Sequence, residues 1–163
     1  MATPTITAAT RFTDQSNTKI YYIPTIAATN LTPTRTEMNA GTDLSPQIND
    51  IKGWTVTSNL IETPDLGTSF VSKIAGSTVS ADSALTFYTS KNGTDVRSVL
   101  PRGTTGYIAM LDGGDTPGNK MEVYPVTVTS NGVIRTAQGK DASKVQIDFA
   151  ITAVPGQQLT VPA

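Results

Sequence analysis

The sequence predicts a mainly β fold: a β-sandwich or partial barrel of six to eight strands, with one short flanking α-helix and long loops. Three observations carry that prediction. Residues 54–61 read WTVTSNLI, in which Trp54, Val56, Ser58 and Leu60 alternate with Thr55, Thr57, Asn59 and Ile61. That period of two marks a strand with two differently used faces. The pattern returns at 144–152, where Val145, Ile147, Phe149 and Ile151 alternate with Gln146, Asp148, Ala150 and Thr152. Threonine, which favours strands and wets a surface without charging it, occurs 28 times in 163 residues. Charged residues make up only 15%, against about 25% in an ordinary domain.

Element by element, residues 1–16 are small, Thr/Ala-rich and aperiodic, and read as an extended N-terminal arm. Lys19–Ile26 is a first strand that Pro24 confines to an edge or a bend. The polar run NLTPTRTEMNAGTDLSPQ is a connecting loop, with one helical turn near Thr36–Asn39 that Thr34 or Thr36 could cap. Ile48–Ile61 reads as one long strand with Gly53 at a bulge. Glu62–Asp82 is a long Gly/Ser/Thr-rich loop, and Ser83–Ser90 a strand.

Asn92-Gly93 then turns the chain into a short helix over 94–100, where Val96, Val99 and Leu100 sit at helical spacing. Thr94 or Asn92 can cap it and Pro101 stops it. Thr105–Leu111 is a strand, DGGDTPGN a turn cluster, and Lys120–Ser130 a strand interrupted at Pro125. Asn131-Gly132 is the strongest two-residue hairpin signal in the chain. Val133–Thr136 and Lys144–Thr152 follow as strands, and residues 154–163 close the chain as a second arm. The length suits a single domain over residues 1–163.

Little chemistry is on offer. With no cysteine and no histidine, disulfides, thiolate metal sites, Cys nucleophiles and His general bases are excluded. The net charge of −1 gives no basic balance for tight nucleic-acid binding. No apolar run approaches the roughly 20 residues of a membrane span, and the N-terminus lacks the basic start and apolar stretch of a secretory signal. Expectation is therefore of a soluble protein made without export.

The densest acidic group, Asp112-Gly113-Gly114-Asp115, is what a tight turn demands and lacks the ligand-rich continuation of a calcium loop. Asp43, Asp50, Asp65 and Asp82 lie beside Ser, Pro and Gly in the manner of turns. Lys91, Arg97 and Arg102 flank the short helix without the interleaved aromatics of a base-stacking platform. Trp54, Phe87, Tyr88, Tyr107 and Phe149 read as core. No enzyme, catalytic residue, metal or cofactor is expected. What remains is a β-domain with arms, long loops and weakly charged faces, properties of a subunit whose surfaces belong to an assembly.

At this point the residues resemble a family. The run from TRTEMNAGTDL through GWTVT, ETPDLG, KIAG, SALTFY and LPRGTTGY to LDGGD is similar to the major tail tube proteins of bacteriophages with long non-contractile tails. The likeness is greatest to versions from phages of actinobacteria, and it continues through KMEVYPVTVTS and VQIDFAIT, covering about residues 30–153. The resemblance implies a virion protein of the phage tail with a β-sandwich fold. Six subunits would form a ring, rings would stack into a hollow tube, and genomic DNA would pass through it. Implied partners are further copies of the chain, the tape measure protein, and the tail terminator and tail tip proteins, with double-stranded DNA only in transit.

On that reading Thr55, Thr57, Asn59, Gln146 and Asp148 are candidate lumen or interface positions. A conduit wall must be wet yet not basic, because each phosphate contact with Lys or Arg would act as a brake. Glu62–Asp82 is the expected ring-stacking loop, with Leu66, Phe70, Val71 and Ile74 as apolar anchors and Lys73 available to an acidic group on the next ring. Three alternatives stay open: another virion component, such as a head decoration or head–tail joining protein; an extracellular β-sandwich binding module; and a metal-dependent enzyme using the carboxylates of Asp112-Gly113-Gly114-Asp115.

Overall fold

The computed structural model describes residues 3–93 and 95–163. Ten strands and two short helices follow one another as β1 (Lys19–Ile23), α1 (Arg35–Asn39), β2 (Thr42–Asp43), β3 (Ile48–Lys52), β4 (Val56–Thr63), β5 (Ser72–Ser80), β6 (Ser83–Tyr88), α2 (Val96–Val99), β7 (Thr105–Leu111), β8 (Lys120–Ile134), β9 (Lys144–Ile151) and β10 (Gly156–Thr160). A 3₁₀ turn at Ser45–Gln47 precedes β3. Eight strands make one antiparallel sheet in the order β2-β1-β7-β8-β9-β6-β3, with β10 on β8, and the sheet does not close into a barrel. β4 and β5 form a separate two-stranded ribbon. The mainly β class is as the sequence predicts, with two short helices rather than one.

Alternation explains why the sheet holds two apolar clusters, one on each face. Ile20 and Tyr22 of β1, Ile108 of β7, and Tyr124, Val126 and Val128 of β8 point to one side, where Leu85, Phe87, Val145, Ile147 and Phe149 join them. Trp54, Leu44, Val96 and Leu100 cover this cluster. Ile23, Ala109, Leu111, Met121 and Val123 point to the other side, under Met38 of α1, Ile26 and Val161. β1, β7 and the first half of β8 are therefore buried on both faces. On β9 and β6 the residues of the first cluster lie on one face, and the opposite face carries Gln146, Asp148 and Thr86 with Ala84 and Tyr88 beside them.

Helix α1 starts where its sequence says. Thr34 Oγ1 accepts the Glu37 N–H (3.2 Å), and Glu37 Oε2 accepts the Thr34 N–H (2.7 Å), a reciprocal capping box. For α2 the cap is Asp95, whose Oδ1 accepts the Arg97 N–H at 3.0 Å. Thr94, one of the two caps expected from sequence, lies outside the described residues, and Asn92 is too far upstream to cap a helix that begins at Val96.

Four sequence expectations need correction. Ile48–Ile61 is two strands, because Gly53 (φ 80°) and Trp54 (φ 65°) turn the chain out of the main sheet. Only glycine suits position 53, where a Cβ would meet Asp82 O at 2.2 Å. Asn131-Gly132 is no hairpin: β8 runs straight through it, pairing Asn131 with Ile147 and Gly132 with Gln146. Nearly half of Glu62–Asp82 is not loop but strand β5 (Ser72–Ser80), paired with β4 from Val56↔Ser80 to Thr63↔Ser72. The C-terminal stretch 154–163 is not a free arm, since β10 pairs with β8 and Val161 is buried.

Candidate assembly surfaces

The β4–β5 ribbon is built from residues that suit strands but bury almost nothing. Along β4 and β5 every residue is exposed or at most half-buried. The register opposes Ile61 with Ile74, Leu60 with Ala75 and Thr57 with Val79. Ile61, Ile74 and Val79 therefore share one face with Thr57, Asn59 and Thr63, while Leu60 shares the other with Ser58, Thr78 and Glu62. At the tip, Gly67 N–H donates to Asp65 Oδ1 (2.7 Å) and Phe70 N–H to Thr68 Oγ1 (3.1 Å), turning the chain with its own side chains.

Of thirteen large apolar side chains exposed among the described residues, seven lie on this hairpin: Leu60, Ile61, Leu66, Phe70, Val71, Ile74 and Val79. Leu66 is fully exposed and Phe70 is 73% exposed. The predicted anchors Leu66, Phe70, Val71 and Ile74 thus fall together on one projecting element. Lys73 is there too, but it meets Glu62 of its own chain at 3.0 Å across the ribbon. Sequence reasoning missed Leu60, Ile61 and Val79. The β-branched content of SKIAGSTVS was the available signal, masked by its serines and glycine.

The ribbon is rooted by Trp54. Its backbone N–H donates to Ser83 Oγ (3.1 Å), its indole Nε1–H to Ala84 O (3.2 Å), and Tyr124 Oη–H donates to Trp54 O (2.9 Å). The indole stands edge-on to Tyr124 at 5.2 Å and tilted against Phe149 at 5.3 Å. Burial, then the hydrogen bond and charge of Glu122, push the Tyr124 phenol well above its ordinary value. Thr55, just beyond the root, is exposed, and its carbonyl accepts the Ala81 N–H (2.9 Å).

A second surface is polar. On β9, Gln146 and Asp148 point away from the apolar cluster and are half-buried. Their register partners Thr86 and Ala84 on β6, and Gly132 and Ser130 on β8, share that face. Asp148 is held in place: Gln146 Nε2–H donates to its Oδ1 (2.6 Å) and Ser130 Oγ–H to its Oδ2. Asp50 and Lys52 of β3 and Lys144 of β9 complete the charges. Lys144 is neutralised by Asp141 at 2.8 Å, and Lys52 stands on the same face as Asp50. Gln146 and Asp148 therefore lie together, whereas Thr57 and Asn59 lie apart on the ribbon.

The turn between β7 and β8 is where the sequence puts it, and Asp115 in it has a structural task. Arg35 Nη1–H donates to both carboxylate oxygens (2.7 and 2.9 Å), Arg35 Nη2–H to Pro162 O (2.6 Å), and Tyr21 Oη–H to Asp115 Oδ2 (3.2 Å). These bonds tie α1, β1, the turn and the C-terminus together. Burial first, then the charge and hydrogen bond of Asp115, push the Tyr21 phenol up to about 12. A phenol raised in the folded state keeps its stabilising proton below the unfolded value of about 10 and loses that contribution as pH rises toward 12. Asp115→Asn is expected to lower the Tyr21 titration part of the way, since burial persists, and to weaken the fold by about 1–2 kcal/mol after allowance for exposure. Phenolate absorbance and urea unfolding check this; an unmoved Tyr21 titration would contradict it. Asp115 thus adds a tie to Arg35 and Tyr21 to the turn role that the sequence assigns it.

Among the described residues no helix is long and apolar enough to cross a membrane. No curated protein is similar enough to count as a relative. Among solved structures, the sheath/tube terminator of an extracellular contractile injection system (PVC, extended state) is similar at 13% identity and a TM-score of 0.62, over 90% of this chain and 96% of that one. A chain of the anti-feeding prophage baseplate is similar at 10% identity and a TM-score of 0.57, over 94% and 95%. These likenesses concern the fold. The sequence itself matches the family described as phage tail tube protein over residues 6–163, so the chain belongs to the phage tail tube protein family.

Proposed function

We propose that the chain is the repeating subunit of a tail tube: six copies close into a ring, rings stack, and genomic DNA is delivered through the lumen into the host. Family membership makes it a structural component of a phage tail. The observation that carries the finer reading is the β4–β5 ribbon, which exposes both faces and holds seven of the thirteen exposed large apolar side chains. An isolated two-stranded ribbon is marginal in water, and apolar anchors on a projecting element are well used when a neighbouring subunit covers them. Leu66, Phe70, Val71 and Ile74 are the stacking contacts in this reading. The face with Thr86, Gln146, Asp148 and Ser130 lines the lumen, wet and sparing in cations that would slow the phosphates, with Lys144 neutralised by Asp141 and Lys52 beside Asp50.

The partners that follow are the tape measure inside the tube, a terminator at one end and tip proteins at the other, with synthesis in the bacterial cytoplasm before assembly. The low charge, the open sheet edges and the similarity to versions from long non-contractile tails support this reading; the solved neighbours come from contractile systems. A second reading, a terminator that caps a tube with a single ring, is favoured by the 96% coverage of the terminator chain. Light scattering at micromolar concentration separates the two. The tube subunit is expected to give particles that grow far beyond 17.1 kDa, the terminator a particle of fixed size. A compact monomer under every solution condition contradicts both.

A further inference from the structure

Among the described residues the sheet ends on one side at β3, which pairs only with β6 and leaves its outer edge without a strand partner. Beside that edge runs a groove of about 710 Å³, with Ile20, Ile48, Ile51 and Tyr88 in its lining and Asp14 and Asp50 as its charged residues. Ile51 is 42% exposed and Tyr88 41% exposed. An open, partly apolar edge of this kind is a template for another strand.

One segment has the matching chemistry and, among the described residues, pairs with no strand. Residues 3–13 have no secondary structure and are exposed throughout. Ile6 is 97% and Phe12 54% exposed. Residues 5–12 read TITAATRF, rich in threonine, with Ile6, Ala8 and Phe12 on one face of an extended strand and Thr5, Thr7 and Arg11 on the other. β3 shows the same division, because Ile51 pairs with Leu85 on the apolar face while Asp50 pairs with Thr86 on the polar face. Arg11 is the only charged residue of the segment, and both charged residues of the groove are acidic.

We propose that residues 5–12 of one copy add as a strand to the open edge of β3 in a neighbouring copy. Ile6 and Phe12 lie beside Ile48 and Ile51, and Arg11 faces Asp50. The occupant is a second copy because within one chain the segment is tethered at Asp14, on the groove wall. There a tight turn closes, with the Asn17 and Thr18 N–H groups both bonded to Asp14 O (3.1 and 2.9 Å), and residues 3–13 before it are exposed throughout. The added strand extends the same sheet, so it bridges the wall between copies.

The chain has no cysteine, which makes directed cross-linking clean. Thr7→Cys, Ala8→Cys or Ala9→Cys chains, each mixed with a size-tagged Asn49→Cys chain, assembled and then oxidised, are expected to give a tagged–untagged dimer from at least one position. No dimer from any of the three overturns the proposal. So does a doubly substituted chain that yields only a fast-migrating internal loop. Deleting residues 3–12 is expected to leave the β circular-dichroism signature intact and to lower assembly at least tenfold. Arg11→Glu lowers it less, and adding Asp50→Lys restores it. The inference rests on the chain assembling with itself: wild type and deletion forming tubes alike overturn the strand addition alone, whereas a wild type that never associates overturns both readings.

Discussion

Replacing residues 57–79 with an Asn-Gly turn, which joins the register partners Val56 and Ser80, is expected to leave a folded subunit and to abolish tubes. The ribbon contributes nothing to either apolar cluster, and its root at Trp54 is retained, so the sheet should keep its circular-dichroism signature and unfolding midpoint. What is lost is the one projecting element that carries Leu66, Phe70, Val71 and Ile74. A milder form, Leu66→Asp with Phe70→Asp, places two charges at the tip. If those side chains fill a pocket on the next ring, each is worth about 2 kcal/mol or more, and assembly should fall by more than roughly tenfold, 1.4 kcal/mol being a factor of ten. Long tubes from either variant would remove the ribbon from stacking and shift that role to the N-terminal segment.

The largest effect on the subunit itself is expected at Trp54. Trp54→Ala removes a 6%-exposed indole that packs on Tyr124 and Phe149 and bonds Ala84 O. Large-to-small changes of this type cost about 3–5 kcal/mol, a large fraction of a typical domain's stability. The left-handed backbone at 54 gives alanine no relief, since it too carries a Cβ. Trp54→Phe keeps most of the packing and loses the indole hydrogen bond, so it should cost clearly less. Urea unfolding measures both; a loss below about 1 kcal/mol for Trp54→Ala would mean that the ribbon root is not anchored as described.

Much of this fold was legible because its signals are local. The alternation of 144–152 gave β9 and its two faces, and Thr34 as a candidate cap gave the start of α1. Partner choice is not local, and there the reading failed. Gly53 is the one breaker between Ile48–Lys52 and the alternation of Trp54–Ile61, and it reads as a bulge within one strand, yet Gly53 and Trp54 send the two halves to different sheets. Asn131-Gly132 has the chemistry of a hairpin, but pairing with β9 keeps it extended, and the register shift near Ser130 absorbs the irregularity. Leu159 and Thr160 read as part of a tail because nothing in their neighbours announces Met121 and Lys120 as partners. At the assembly surfaces, residue identity was readable and placement was not. Leu66 and Phe70 were suspect as apolar residues in a polar stretch, whereas Leu60 and Ile61 looked like ordinary strand residues until β4 proved to have no core beneath it.

The central claim, stacked six-fold rings around an open lumen, is tested most directly by negative-stain electron microscopy of the purified wild-type chain at micromolar concentration. The account predicts long hollow tubes whose end-on views average to six-fold rings with a clear centre. Isolated small particles under every condition, or closed rings of another symmetry that never stack, would contradict it.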